Sequence, residues 1–331
     1  MTYDITAIGS ATVDYFADTD SELIRIDTRT TSLELLAFPM GEKILINEFN
    51  ISTGGGGTNT AVAFSRLGLK TAYLGKIGTD LNGDYIVDYL GQQGITFIGK
   101  REGQSGASII LNGLRDDRTI LAFKGINNFM QPEDMPQIES PWVYLASMLE
   151  QSWQTVVAAL SAGLVANKFK VAFNPSSYQA ALGYDQLGVL TDKVSVLVMN
   201  REEACKYLGL DPQAHKDPAE LTRALAKQPG QITLVTDGAK GAWAWDGSAG
   251  LWAKPHPDLK IAETTGAGDA FASTFTTCHI RGMSLRDCLH FAMTNAESVL
   301  QYRGAKEKLL TWDELQVAAQ QYSRDITGYN D

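Results

Sequence analysis

From residue 142 onward, stretches that suit a buried strand alternate with stretches that suit a helix. No other feature of the chain constrains its fold as much. Trp142–Ala146 precedes a helical pattern over 151–166, Val171–Phe173 precedes 177–190, and Val194–Met199 precedes 200–209. Ile232–Thr236 then leads into a Trp-rich hairpin, Ala242–Trp252, and helical patterns over 267–281, 284–302 and 312–322 follow. Strands that take turns with helices are joined by crossovers, which predicts a mostly parallel α/β sheet covered on both faces. In such sheets ligands gather beyond the carboxyl ends of the strands.

The first half keeps one strand of that kind and then changes character. Ile5–Ile8 reads as buried and ends at Gly9-Ser10, with Asp14 just beyond it. Asp14 is there either a substrate contact or an exposed turn carboxylate. Over residues 21–50, short β-prone pieces (Leu23–Ile26, Leu33–Ala37, Ile44–Phe49) lie among Thr, Asp and Gly without a helical period. A second such patch covers 106–125, with a turn at Asn112-Gly113. Between the patches lie a helix with Ala61, Phe64 and Leu67 on one face, a strand Thr71–Gly75 and a helix Leu81–Gln93. Two strand-rich inserts bracketing this segment predict a small sheet that stands off the main one and draws on both. With no linker or low-complexity segment to divide the chain, we expect one domain over 1–331, with inserts at approximately 15–50 and 101–126.

The 331 residues, 44% of them hydrophobic, suffice for a large core. Charge excludes some functions: 28 basic against 38 acidic residues leave −10, a poor match to nucleic acid or to a polybasic membrane anchor. Cys205, Cys278 and Cys288 are odd in number and lack Cys-x-x-Cys spacing, as in a reducing cytosol, and His215, His256, His279 and His290 show no zinc pattern. The N-terminus lacks the basic-then-apolar order of a signal peptide, and no apolar run approaches the roughly 18 residues a membrane span needs. These features predict a cytoplasmic protein with neither nucleic acid nor membrane as partner.

Two glycine-rich stretches carry the chemistry. In Glu263-Thr-Thr-Gly266-Ala267-Gly268-Asp269, small residues open a helix whose free N–H groups and dipole face whatever lies in front. An anion approaches such a backbone closely, and Asp269 lies within reach of that anion and of a neighbouring hydroxyl. This suits phosphoryl transfer to an alcohol, although the same residues also suit an ordinary helix start capped by Thr265 or Gly266. Gly54-Gly-Gly-Gly57-Thr-Asn59 likewise precedes a helix, with Asn59 supplying a donor and an acceptor. Neither common nucleotide motif occurs: Gly9-Ser-Ala-Thr12 is not G-x-G-x-x-G, and Gly75-Lys76 is followed by Ile77, not by the Ser or Thr of a P-loop.

The collinear set Gly-Ser-x-x-x-Asp (9–14), Gly-Gly-x-Gly-x-Asn (54–59), Asn-x-x-Glu (200–203), Thr-x-Gly-x-x-Gly (236–241) and Thr-x-Gly-Ala-Gly-Asp (264–269) resembles the ribokinase-like (PfkB) carbohydrate kinases over nearly the whole chain. The resemblance implies a Rossmann-like three-layer α/β sandwich with a small β-sheet lid over the sugar. It implies ATP and Mg²⁺ as cofactors, and a small sugar or nucleoside as substrate. It makes Asp269 the catalytic base and Gly266, Ala267 and Gly268 the anion hole. Asp14, Gly54, Gly55 and Asn59 become substrate contacts. Asn200, Thr236, Gly238, Gly241 and Asn295 lie on the nucleotide side, and Glu203 acts on Mg²⁺ through water. Asn200 and Glu203 also form a capping-box pattern, and both readings hold together. A homodimer through the lid is expected.

Three positions depart from the pattern. Glu263 stands where the family has the Asp that helps hold a monovalent cation, and its extra methylene disfavours K⁺ there. Gly56 and Thr12 stand where ribokinase proper has Lys and Asn, which argues against a strict ribose kinase. Glu150 falls near a further sugar contact. The alternatives are a vitamin or hydroxymethylpyrimidine kinase of the same superfamily, and a catalytically silent sensor of sugar or nucleotide.

Overall fold

The computed structural model describes residues 2–18, 23–27, 32–112, 118–215, 217–302 and 304–329. Ile5–Ile8 lies between Trp142–Leu145 and Thr71–Leu74, parallel to both. Lys170–Phe173, Val196–Asn200 and Ile232–Thr236 extend the sheet in parallel on one side, and Thr96–Phe97 does so on the other. Ala242–Trp245, Gly250–Ala253 and Ile326–Tyr329 complete ten strands as an antiparallel edge. Strand order reverses at Ile5–Ile8, so a crevice opens beyond Ile8.

Both faces are buried, and this is why the central strands are mostly apolar, with buried Thr6 and Thr233 as polar interruptions. Val143 and Leu145 pack with Val156, Leu160 and Leu187 on one face. Tyr144 packs with Ala61, Phe64 and Phe275 on the other, its ring edge-on to Phe64 at 5.2 Å. The result is a three-layer α/β sandwich.

The smaller sheet has the order Arg118–Phe123, Gly106–Asn112, Thr12–Asp18, Glu48–Gly54, and so combines strands from both inserts. Thr12–Asp18 is its pivot, parallel to Gly106–Asn112 and antiparallel to Glu48–Gly54. Asp14 therefore sits on a strand of the small sheet, not in a turn beyond the first strand. The piece expected at Ile44–Phe49 begins instead at Glu48 and runs into the glycines as far as Gly54, because Gly54 pairs with Thr12. Leu23–Asp27 and Ser32–Leu36 form a separate two-stranded ribbon. The turn expected at Asn112-Gly113 lies outside the described residues at Gly113, as do 19–22 and 28–31 of the first insert.

The helix expected over 177–190 is broken into Ser177–Ala180 and Gly183–Thr191 at Gly183, whose φ of +73° is left-handed. Thr12–Asp18, Thr96–Phe97, Pro218–Leu225 and Ile326–Tyr329 are among the elements that carried too little periodicity to be read. Pro218–Leu225 is a two-turn helix capped by Asp217 with Pro in its first turn, and Ile326–Tyr329 is an edge strand. Among the described residues no helix is long and apolar enough to cross a membrane.

Candidate active site

Two helices meet by their N-termini at the carboxyl end of the sheet. Gly56–Arg66 starts after Gly55 and Ala267–Ile280 after Gly266; neither cap residue supplies a side-chain hydrogen bond. Within these first turns Gly57 N–H donates to Ser10 O at 3.1 Å and Ala267 N–H to Thr264 O at 3.5 Å, so backbone carbonyls answer part of each turn. The helices are joined by the Asn59 amide, which donates to Asp269 Oδ2 at 2.8 Å. Asn59 Oδ1 is buried and has no hydrogen-bond partner among the described residues, which leaves an acceptor open.

The glycines follow from crowding. Gly266 has φ +79°, and a Cβ there would meet the Ala305 backbone at 2.6 Å. A Cβ on Gly57 would meet the backbone of Gly9 at 2.6 Å, so the helix start lies directly on the end of the first strand. Gly268 has open space at its Cβ position. Burial pushes the Asp269 carboxyl up to about 6; the Asn59 hydrogen bond and the Lys306 charge offset part of that rise.

Asp14 enters from the small sheet. A Cβ on Gly54 would lie 1.9 Å from its Oδ2, so only glycine fits beside it. Thr12 Oγ1 donates to Asp14 Oδ1 at 2.9 Å. Burial raises the Asp14 carboxyl, with the Ser108 and Thr12 hydroxyls opposing. Asn127, in the turn after Phe123, clasps the link between Ile8 and Thr12 by accepting from Ala11 N–H and donating to Ala11 O, each at 2.8 Å.

The opposite wall is a cavity of about 220 Å³ lined by Asn200, Glu203, Thr236, Gly266, Gly268 and Asp269, with Asn174 beside them. The capping box is present: Asn200 Oδ1 accepts from Glu203 N–H at 2.9 Å, and Glu203 Oε2 accepts from Asn200 N–H at 3.0 Å. Ser177 Oγ donates to Glu203 Oε1 at 3.1 Å, and burial raises the Glu203 carboxyl against these contacts. Thr236 ends its strand at the cavity, and Gly238 and Gly241, both at positive φ, form the turn after it. A larger open depression of about 790 Å³ lies at the amino ends of the strands, beside Thr2, Ser140 and Lys168. It is remote from these groups.

Asn295 does not join them. It is fully buried, donates to Thr274 Oγ1 at 2.8 Å and accepts from Leu310 N–H at 3.0 Å, so both ends of its amide are engaged within the protein. Glu263 Oε2 accepts from Gly304 N–H at 2.8 Å, and the Thr265 hydroxyl donates to its other oxygen. Glu150, also at positive φ (52°), is exposed at the start of its helix.

Two residues at the site escaped sequence reasoning. Asn174 follows a strand end, just as Asn200 ends one, and the same rule would have found it. Lys306 is 5% exposed, and its ammonium donates to Thr58 Oγ1 at 3.2 Å behind the glycine run. No local pattern marks it.

An α/β sandwich with a second small sheet over such a cleft is the fold of the ribokinase-type kinases. The nucleoside kinase of Methanocaldococcus jannaschii, described as an archaeal member of the ribokinase family, superposes with a TM-score of 0.76 at 18% identity, over 96% of this chain and 98% of that one. Mouse (Mus musculus) ribokinase is 30% identical over 75% of this chain and 78% of its own. The 5-dehydro-2-deoxygluconokinase of Shouchella clausii is 25% identical over 96% of each. The family model described as "pfkB family carbohydrate kinase" matches residues 5–312. The chain belongs to the pfkB family of carbohydrate kinases, and as such is an ATP-dependent sugar or nucleoside kinase.

Proposed function

We propose that this kinase transfers the γ-phosphoryl group of ATP to a hydroxyl of a small sugar or nucleoside, with Asp269 as general base. The observation that carries this reading is the Asp269–Asn59 hydrogen bond of 2.8 Å, which joins two helix N-termini that lack side-chain caps. The orphaned Asn59 Oδ1 and the open space at Gly268 fit a polar ligand with an anionic end.

Asp14, Gly54, Gly55 and Asn59 would hold the substrate: Asp14 and Asn59 accept from its hydroxyls, and the glycines leave room for it. The acceptor oxygen forms a bond to the γ-phosphorus while the β–γ bridging P–O bond breaks, and the acceptor's proton passes to Asp269. ADP leaves with the bridging oxygen. The N–H groups at Gly266, Ala267 and Gly268 meet charge that builds on the transferring group. Asn200, Thr236, Gly238 and Gly241 line the nucleotide side. Glu203 would hold Mg²⁺ through water; the ion, when bound, neutralises phosphate charge. The small sheet, carried on residues of both inserts of one kinase domain, acts as a lid that excludes water. Its exposed row of Ile51, Ile109 and Leu121 suits pairing with a second copy, giving a homodimer. The acidic charge and buried free cysteines favour a cytoplasmic setting.

The test is ADP formation with ATP and Mg²⁺ over D-ribose, 5-dehydro-2-deoxygluconate and adenosine, together with thermal-shift screening of a wider set. A purified, folded protein that neither turns over nor is stabilised by any sugar or nucleoside would refute the reading.

A further inference from the structure

Lys306 has no part in the transfer described above, yet it lies behind the glycine run, with Asp14 and Asp269 close enough to act on its charge. Its ammonium donates to Thr58 Oγ1 at 3.2 Å and stands 5.4 Å from the centre of the Tyr89 ring. Thr58 in turn donates to Gly54 O at 2.6 Å, beneath the glycine that touches Asp14. The next residue, Asn59, holds Asp269. The Lys306 backbone is fixed as well: Arg66 Nη1 donates to its carbonyl at 3.1 Å and to Leu309 O at 3.0 Å. Its neighbour Ala305 packs on Gly266. A long flexible cation is thus immobilised out of water between the starts of two helices, with two carboxylates close by.

An ammonium is rarely buried unless it answers a charge. Burial drives the Lys306 ammonium down to about 7, while Asp14 and Asp269 push the other way and Arg66 adds to the fall. The same lysine lowers both carboxyls. The other titratable and charged groups facing this cluster are Tyr89, Tyr144 and Glu263. Glu203 shares the cavity with Asp269. Tyr89 and Tyr144 are held protonated, and Lys306 is the cation that acts on both Asp14 and Asp269.

We propose that Lys306 is a positioning residue of the transfer site, a built-in counter-charge anchored on Thr58 that keeps Asp269 ionised and ready to accept a proton. The consequence is specific. Without the lysine, Asp269 becomes a better-protonated acid near neutral pH. The loss is concentrated below the pH at which the lysine itself discharges, and at higher pH the two proteins converge. A residue that merely filled space would cost the same at every pH.

This inference rests on reading Asp269 as the base, and the two are separable. The ionisation of Asp269 is read in the ligand-free protein from its ¹³C carboxyl resonance, assigned by its disappearance in Asp269→Asn. In the wild type we expect a midpoint near 6. In Lys306→Met it should rise by about one unit or more. Thr58→Val, which keeps the charge and removes its anchor, should move the midpoint the same way by less, with little change in melting temperature; it serves if Lys306→Met does not fold. A midpoint unmoved in the folded variants overturns the proposal even when Asp269→Asn is inactive. An active Asp269→Asn overturns the base reading instead.

Discussion

Gly266→Ala tests the anion hole where geometry sets the size of the effect. Gly266 has φ +79°, and a β-carbon would lie 2.6 Å from the Cα, Cβ and carbonyl oxygen of Ala305. Ordinary contact needs roughly 3.4–4 Å, so the loop or the Ala305 segment has to move by about 1 Å. A left-handed alanine adds about 1–2 kcal/mol. Together with overpacking of about 1–3 kcal/mol, this should lower the melting temperature by roughly 5–10 °C. A 1 Å misplacement of the donors should reduce kcat about 100-fold. Gly268→Ala is the control. Its β-carbon meets open space, and alanine is the better helix former, so the protein should melt no lower than wild type. Its activity should nevertheless fall, because the methyl group takes room that an anion needs. The assay is initial-rate kinetics beside a thermal melt for both variants. Wild-type kcat in both would refute the anion hole, and an unchanged melting temperature in Gly266→Ala would refute the packing argument.

Asp269→Asn should cut kcat by about 10²–10⁴ with nucleotide binding retained. The pH sign is definite. The folded carboxyl titrates near 6 instead of 3.8, so kcat/KM should fall as pH drops through 6. The cost of ionising Asp269 grows as pH rises from 3.8 to 6 and is absent below, so Asp269→Asn should melt higher than wild type at pH 7.5, by an amount corresponding to about 1–3 kcal/mol, and at the same temperature as wild type at pH 3.5. Melting curves at both values check this. Glu203→Gln keeps an acceptor for Asn200 N–H but loses charge; Mg²⁺ titrations of rate should show weaker apparent affinity and lower kcat at nearly constant melting temperature. Glu263 reaches Gly304 N–H directly, a contact that a side chain one methylene shorter does not span. The wild type should respond weakly to KCl at constant ionic strength and Glu263→Asp more strongly, and strong activation of the wild type would refute this.

Much of the fold was legible because burial leaves periodic traces. Strands covered on both faces are mostly apolar, which is why Val143-Tyr144-Leu145 announced a parallel sheet. The break at Gly183 and the strand at Ile326 left no such trace. The first depends on one backbone dihedral, and the second on an edge that only the folded hairpin provides. The cleft followed the same division. Gly54 to Asn59, Asn200, Glu203 and Gly266 to Asp269 announce themselves because helix starts and close backbone approach demand particular residues within a few positions of each other.

The sequence by itself determined the alternation of elements, the capping at Asn200, and which glycines precede helices, since each is a matter of local backbone chemistry. Tertiary structure alone decided that Asp14 sits on the small sheet, that Asn59 grips Asp269, that Asn295 faces inward, and that Lys306 lies behind the glycine run. Those outcomes depend on which distant segments occupy the same space, and charge and hydrogen-bond partnership across such distances leave no mark in local composition.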